Sequence, residues 1–298
     1  MCYQSHSLRI AWDLEGADLH VAHLEHTLFL RAHLENANLS GAFLKGAVLG
    51  LAHLEGADLG YAHLEGSDLS YAHLEGANLS EAFFDSTTKL NEVALSNSVY
   101  GGVSLADVYW GDVNVAVIDW STVSQLGDER TAKQQTSDDG KPKDSIDGLA
   151  GYRKAVRAYR QLAVVLRNQG LNEDAARFAY RAQLTQRLVF RQQRKRGQYL
   201  FSLFLDLLAG YGYKPWRSFA TYIVVIGIFA AIYLLPGPHL AWNEAIVISM
   251  TAFHGRGFFP DQFKPSDPQA LVAAIEAFVG LLIEVTFIAT LTQRLFGK

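Results

Sequence analysis

From Leu14 onward a large apolar residue returns at every fifth position, through Leu19, Leu24, Phe29 and Leu34, without a break to Phe84. Two places before each stands a small residue, nearly always alanine, with Trp12, Thr27 and Ser67 as exceptions. After one inserted residue the pattern resumes at Leu90 and runs through Leu95, Tyr100, Leu105, Trp110 and Val115 to Trp120. An α-helix turns every 3.6 residues and a strand alternates every two, so neither holds a period of five on one face. A fixed period carried through 22 units predicts a solenoid over 12–120.

The pattern then changes three times. Residues 121–148 are polar, with Gly, Pro, Ser and mixed charges, and read as a linker. From Leu149 apolar residues recur at three and four (Tyr152, Val156, Tyr159, Leu162, Leu166), and "NQGLNEDAA" supplies a turn, so 149–197 reads as a helical hairpin with Asn172 as a plausible cap. It serves as an adaptor, an oligomer-packing element or a partner groove. Residues 198–216 are apolar but broken by Asp206 and Gly210, too short to span and better suited to an interfacial helix.

Residues 218–235 carry no charge and 270–292 only Glu276 and Glu284, so 217–298 contains two candidate membrane spans. Between them Trp242 to Phe253 is helix-like but only 12 residues long, which suits a re-entrant half-helix within a loop over 241–261.

Charge sharpens this division. Residues 1–120 hold 16 acidic against four basic residues, a net of −12; the whole chain is −4, which leaves +8 for residues 121–298. Basic residues crowd before the first span (Arg187, Arg191, Arg194, Lys195, Arg196, Lys214, Arg217) and after the second (Arg294, Lys298), with few in the connecting loop, so both termini and the solenoid are expected in the cytoplasm of a plasma-membrane protein. The Arg191–Arg196 cluster faces either anionic lipid or plain solvent. The sole cysteine, Cys2, excludes an intrachain disulfide. No nucleophile–base pair, phosphate loop or metal cluster is visible, so neither an enzyme nor a cofactor is expected. The outward-facing His33, His53 and His73, with Glu35, Glu55 and Glu75 nearby, read as a solvated ladder or, alternatively, as metal ligands.

The unit A-(D/N/H)-L-x-G resembles the pentapeptide-repeat family, which implies a right-handed quadrilateral β-helix with four units per coil. Twenty-two units would then make about five and a half coils stacked at ~4.8 Å, with Trp110 and Trp120 closing the last. Some soluble members are thought to mimic DNA; fused to membrane helices, this solenoid is poorly placed to do so, and no nucleic-acid partner is expected. The order span, half-helix, G-x-G, proline, span resembles the two-span pore module of the potassium-channel superfamily, and residues 149–298 look like bacterial proteins that join pentapeptide repeats to such a pore. The fold class is thus a β-helix, a helical hairpin and a two-span pore module.

That resemblance implies a homo-oligomeric channel, tetrameric by preference, with Phe253, His254, Gly255, Arg256 and Gly257 in the filter. Gly255 and Gly257 match the family's two glycines, whereas Phe253, His254, Arg256 and Phe258 depart from T-x-G-Y-G-D, so selectivity is not inherited. Glu276, Gly280 and Glu284 form one i, i+4, i+8 stripe. In this reading Glu276 pairs with Arg256, Gly280 is a hinge, and Glu284 either faces a cation-attracting cavity or bonds a neighbouring subunit. The permeant ion is expected to be a cation. An anion-selective Arg256 ring and a non-conducting membrane tether are the alternatives.

Overall fold

The computed structural model describes residues 11–134, 145–235, 241–255 and 268–296. They divide into two compact units, one ending at Lys195 and one beginning at Arg196.

The first unit is a β-helix. Residues 20 apart pair as parallel bridges, Asp13 with His33, then His33 with His53, then His53 with His73, so four pentapeptides make one coil. Each side contributes one bridge rather than a long strand. Among the described residues regular strands are confined to a small antiparallel pair, β1 (Ser96–Asn97) and β2 (Gly101–Gly102). Leucines and alanines from Ala32 to Leu64, except Leu51 at a corner, have no solvent exposure and fill the axis. At two exceptions to alanine, a hydroxyl bonds the carbonyl three residues back: Thr27 Oγ1 to Leu24 at 2.7 Å and Ser67 Oγ to Leu64 at 2.8 Å. The small position therefore tolerates a polar atom only with a local acceptor.

The residue at each corner adopts a left-handed conformation. Gly56 (φ 69°) does so without cost, whereas Val21 (φ 53°) is forced into it by the repeat.

Two irregularities interrupt the period. The extra residue near Phe84 is absorbed in a turn held by Asp85, whose Oδ1 accepts from the Thr87 and Thr88 amides at 2.9 and 3.1 Å. Between the bridges His73–Ala94 and Asn78–Ser104 the chain gains five residues, which bulge out as the β1–β2 hairpin. Tyr100, expected in the core, is consequently 37% exposed. The insertion keeps the sequence period but removes one unit from the coil.

The polar stretch expected as a linker is packed in its first half. Val123 and Leu126 are fully buried, and α1 (Gly127–Lys133) follows. Helices α2 (Ser145–Asn168) and α3 (Asn172–Gln192) form the expected hairpin, and it closes the last coil. Trp120 meets Phe178 edge-on at 5.9 Å and donates its Nε1–H to the Val115 carbonyl at 2.9 Å. The Gln169 amide bonds both polar groups of the final edge, Val113 O at 2.7 Å and Val115 N–H at 2.8 Å. A bare β edge is a template for aggregation, and this side chain covers it. Arg157 adds a two-pronged pair with Asp107, at 3.1 and 2.8 Å. Beneath them Tyr159 donates to buried Glu129 at 2.6 Å and accepts from the Leu126 amide at 3.0 Å.

The second unit is helical. It comprises α4 (Arg196–Ala209), α5 (Pro215–Tyr233), α6 (Trp242–Phe253) and α7 (Pro268–Phe296). Two helices, over Trp216–Tyr233 and Pro268–Ala289, are long and apolar enough to cross a membrane. Asp206, which breaks the apolar run of α4, accepts from Arg217 at 3.0 Å and so ties α4 to the start of α5. Leu200, Phe201, Leu203, Phe204 and Leu207 leave α4 with a broad exposed apolar face.

Candidate functional site

Helix α6 has the 12 residues read from the sequence and packs against both α5 and α7. Its inner face is Ala245, Ile248, Ser249, Ala252 and Phe253, all buried. Small residues here let backbones approach, the usual basis of helix association in lipid.

The three stripe residues of α7 meet this face in succession. Glu276 is fully buried; it accepts from the Tyr233 hydroxyl of α5 at 2.9 Å and bonds the Ser249 hydroxyl of α6. Ser249 also reaches the Ile226 carbonyl at 3.0 Å. One carboxyl group thereby joins three helices. Four residues on, Gly280 lies against the end of α6, where an added β-carbon would overlap the Phe253 carbonyl oxygen and stand 2.9 Å from its carbon. Gly280 sits within the unbroken span of α7, where the missing side chain permits this close approach. Another four residues on, Glu284 faces His254, with Oε1 3.5 Å from Nε2. The His254 Nδ1–H donates to the Met250 carbonyl at 2.7 Å, which holds the ring. Glu284 is 39% exposed and thus also open to other partners.

After Phe253 the helix ends at His254, and Gly255 takes a left-handed φ of 66° with no neighbour that an added β-carbon would meet. Tyr222 of α5 braces Phe253 edge-on at 4.8 Å. Arg256 and Gly257 lie outside the described residues, and with them the expected Arg256–Glu276 pair and the second filter glycine. The groups that do hold Glu276, Tyr233 and Ser249, were not singled out in the sequence. The signal available was the need of a lone carboxyl in an apolar span for hydroxyl partners on its neighbours.

On the solenoid, His33, His53 and His73 stack with ring centroids 5.0 Å apart. Each bonds the glutamate two residues on through Nδ1, at 3.0, 3.2 and 3.4 Å. Hydrogen bonding to Glu35 raises the His33 imidazole above its usual range. The opposite face, two sides away, alternates instead, His23, Phe43, His63, Phe83, with centroids 4.7 to 5.1 Å apart.

A family model described as pentapeptide repeats matches residues 13–50 and 49–85. Solved structures similar to the chain include HetL, a pentapeptide repeat protein involved in heterocyst differentiation regulation in the cyanobacterium Nostoc (31% identity, 36% of this chain, 48% of that one, TM-score 0.35). A pentapeptide repeat protein of the Arabidopsis thaliana thylakoid lumen shares 33% identity over 33% of this chain and 68% of its own, with a TM-score of 0.28. Another, from Nostoc, shares 31% over 30% of this chain and 82% of its own, with a TM-score of 0.15. The chain thus spans about half the length of HetL. No curated protein matches it significantly.

Proposed function

Residues 13–85 of this chain belong to the pentapeptide-repeat family, and on that premise we propose that the chain is a homo-oligomeric ion channel whose repeat solenoid serves assembly, docking or gating. The observation that carries the proposal is α6: a helix too short to span, fastened between two helices of spanning length by a fully buried glutamate, and ending at a left-handed glycine. A mere tether has no use for such an element. Little of either spanning helix is buried, and Phe219, Ile223, Phe278 and Val285 are among the large apolar side chains left exposed, which suits lipid or a neighbouring subunit.

In this reading four copies surround an axis. The stretch that begins with Phe253, His254 and Gly255 forms the constriction, and Glu284 lies below it. Partly exposed carboxylates favour cations there, since like charge in a confined site opposes anions. The solenoid and both termini lie in the cytoplasm, with the Arg191–Arg196 cluster at the anionic headgroups.

Ion flux from liposomes carrying the purified full-length chain tests the proposal. Faster dissipation of a cation gradient than in empty vesicles is expected. Flux equal to empty vesicles would leave the tether, and faster flux of anions than of cations would assign the arginine ring.

A further inference from the structure

The geometry points to a divalent transition-metal site on the histidine face of the solenoid, built by Glu55, His73 and Glu75 and repeated one coil away by Glu35, His53 and Glu55. In each group one ligand atom from every residue lies within 4.8 Å of the others.

Three observations carry this. The first is bite. Two donors bound to one zinc-sized ion at 2.0–2.1 Å in a tetrahedral arrangement stand about 3.3 Å apart. His53 Nδ1 and Glu55 Oε1 are 3.2 Å apart, and His73 Nδ1 and Glu75 Oε1 are 3.4 Å apart. An ion fits there by taking the place of the shared proton, which leaves to solvent.

The second is an unmet need. Glu35, Glu55 and Glu75 each keep one carboxylate oxygen buried with no hydrogen-bond partner among the described residues, and the Glu75 side chain is only 8% exposed. Such an oxygen is costly to leave unpaired, and a cation satisfies it directly.

The third is contrast within the same molecule. The opposite face has the same period, and Glu65 there also keeps an unpaired buried oxygen beside His63, but phenylalanine replaces every second histidine and Lys45 stands 3.7 Å from Glu65. No comparable ligand group occurs there among the described residues. One imidazole and two carboxylates favour a borderline first-row ion such as Zn²⁺ and leave room for water as the fourth ligand. Bound between coils, the ion clips chain segments 20 residues apart and stiffens the solenoid.

The test is titration of tag-free full-length protein with Zn²⁺ alone, by calorimetry and by thermal melting. Wild type is expected to bind one or two ions saturably and to melt at a higher temperature with zinc. His73→Phe together with His53→Phe is expected to weaken binding by more than about tenfold and to abolish the zinc-dependent rise. Phenylalanine already stacks at Phe43 and Phe83, so the coil accepts it. Glu55→Gln, which keeps side-chain volume and is common to both groups, is the second variant and is expected to act alike. His63→Phe is expected to leave binding unchanged. Absence of saturable binding to wild type, or an equal loss in His63→Phe, would overturn the site.

Discussion

The α-carbon of Gly280 rests against the carbonyl group of Phe253, leaving no room for a side chain between α7 and the end of α6. This contact sets how deeply the short helix seats. Gly280→Ala is expected to push α6 off α7 and to destabilise the assembly by about 1–3 kcal/mol, as overpacking usually does. Gly227→Ala on α5, where an added β-carbon meets nothing within 4 Å, is the control and is expected to melt like wild type. Equal melting of the two variants in detergent would refute the close approach.

Glu276 should behave as a fastener. Glu276→Ala strands the Tyr233 hydroxyl, leaves Ser249 only the Ile226 carbonyl and is expected to cost about 1–3 kcal/mol, whereas Glu276→Gln keeps an acceptor and a donor and costs less. The measurement is the heat stability of the purified oligomer. If the alanine variant is as stable as wild type, the three-helix junction does not hold the fold.

At the base of the solenoid, burial raises the Asp128 carboxyl above its usual range, outweighing its bond from the Leu105 amide at 2.7 Å and the nearby charge of Lys154. Its second oxygen has no partner among the described residues. A raised folded-state value means that this group's contribution to stability is present in full below its unfolded value and is lost as pH rises through the folded one. Asp128→Asn is therefore expected to add on the order of 1 kcal/mol at neutral pH and nothing near pH 3. A gain that grew on acidification would contradict the sign.

Val21 tests the corner strain. A β-branched residue with φ 53° sits in a conformation that asparagine tolerates better. Val21 is also 47% exposed, so little packing is lost. Val21→Asn is expected to raise solenoid stability by about 0.5–1 kcal/mol in thermal denaturation. A lower melting temperature would mean that the Val21 side chain, 3.3 Å from the space beside Gly41, contributes more than the strain removes.

The solenoid was legible because its period is set by geometry that repeats identically at every coil. Leu34, Leu54 and Leu74 share one environment, and a single leucine therefore predicts the rest. Tyr100 was not, because an insertion of one full unit leaves the period intact while removing the residue from the coil. The cap at Val123 to Lys133 read as linker because its burial rests on polar contacts, Tyr159 with Glu129 and Leu105 with Asp128, which composition does not reveal. Helix α6 was legible to the residue, since its length is bounded by apolar composition. The close contact of Gly280 with Phe253 was not, because a missing side chain marks a bend and a close approach alike.

Single-channel recording of the purified full-length chain in planar bilayers addresses the channel reading most directly. Unitary currents that reverse near the cation equilibrium potential in asymmetric salt, and whose conductance falls in Glu284→Gln, are the predicted result. A silent bilayer under every gradient, from protein shown to be folded and inserted, would contradict it.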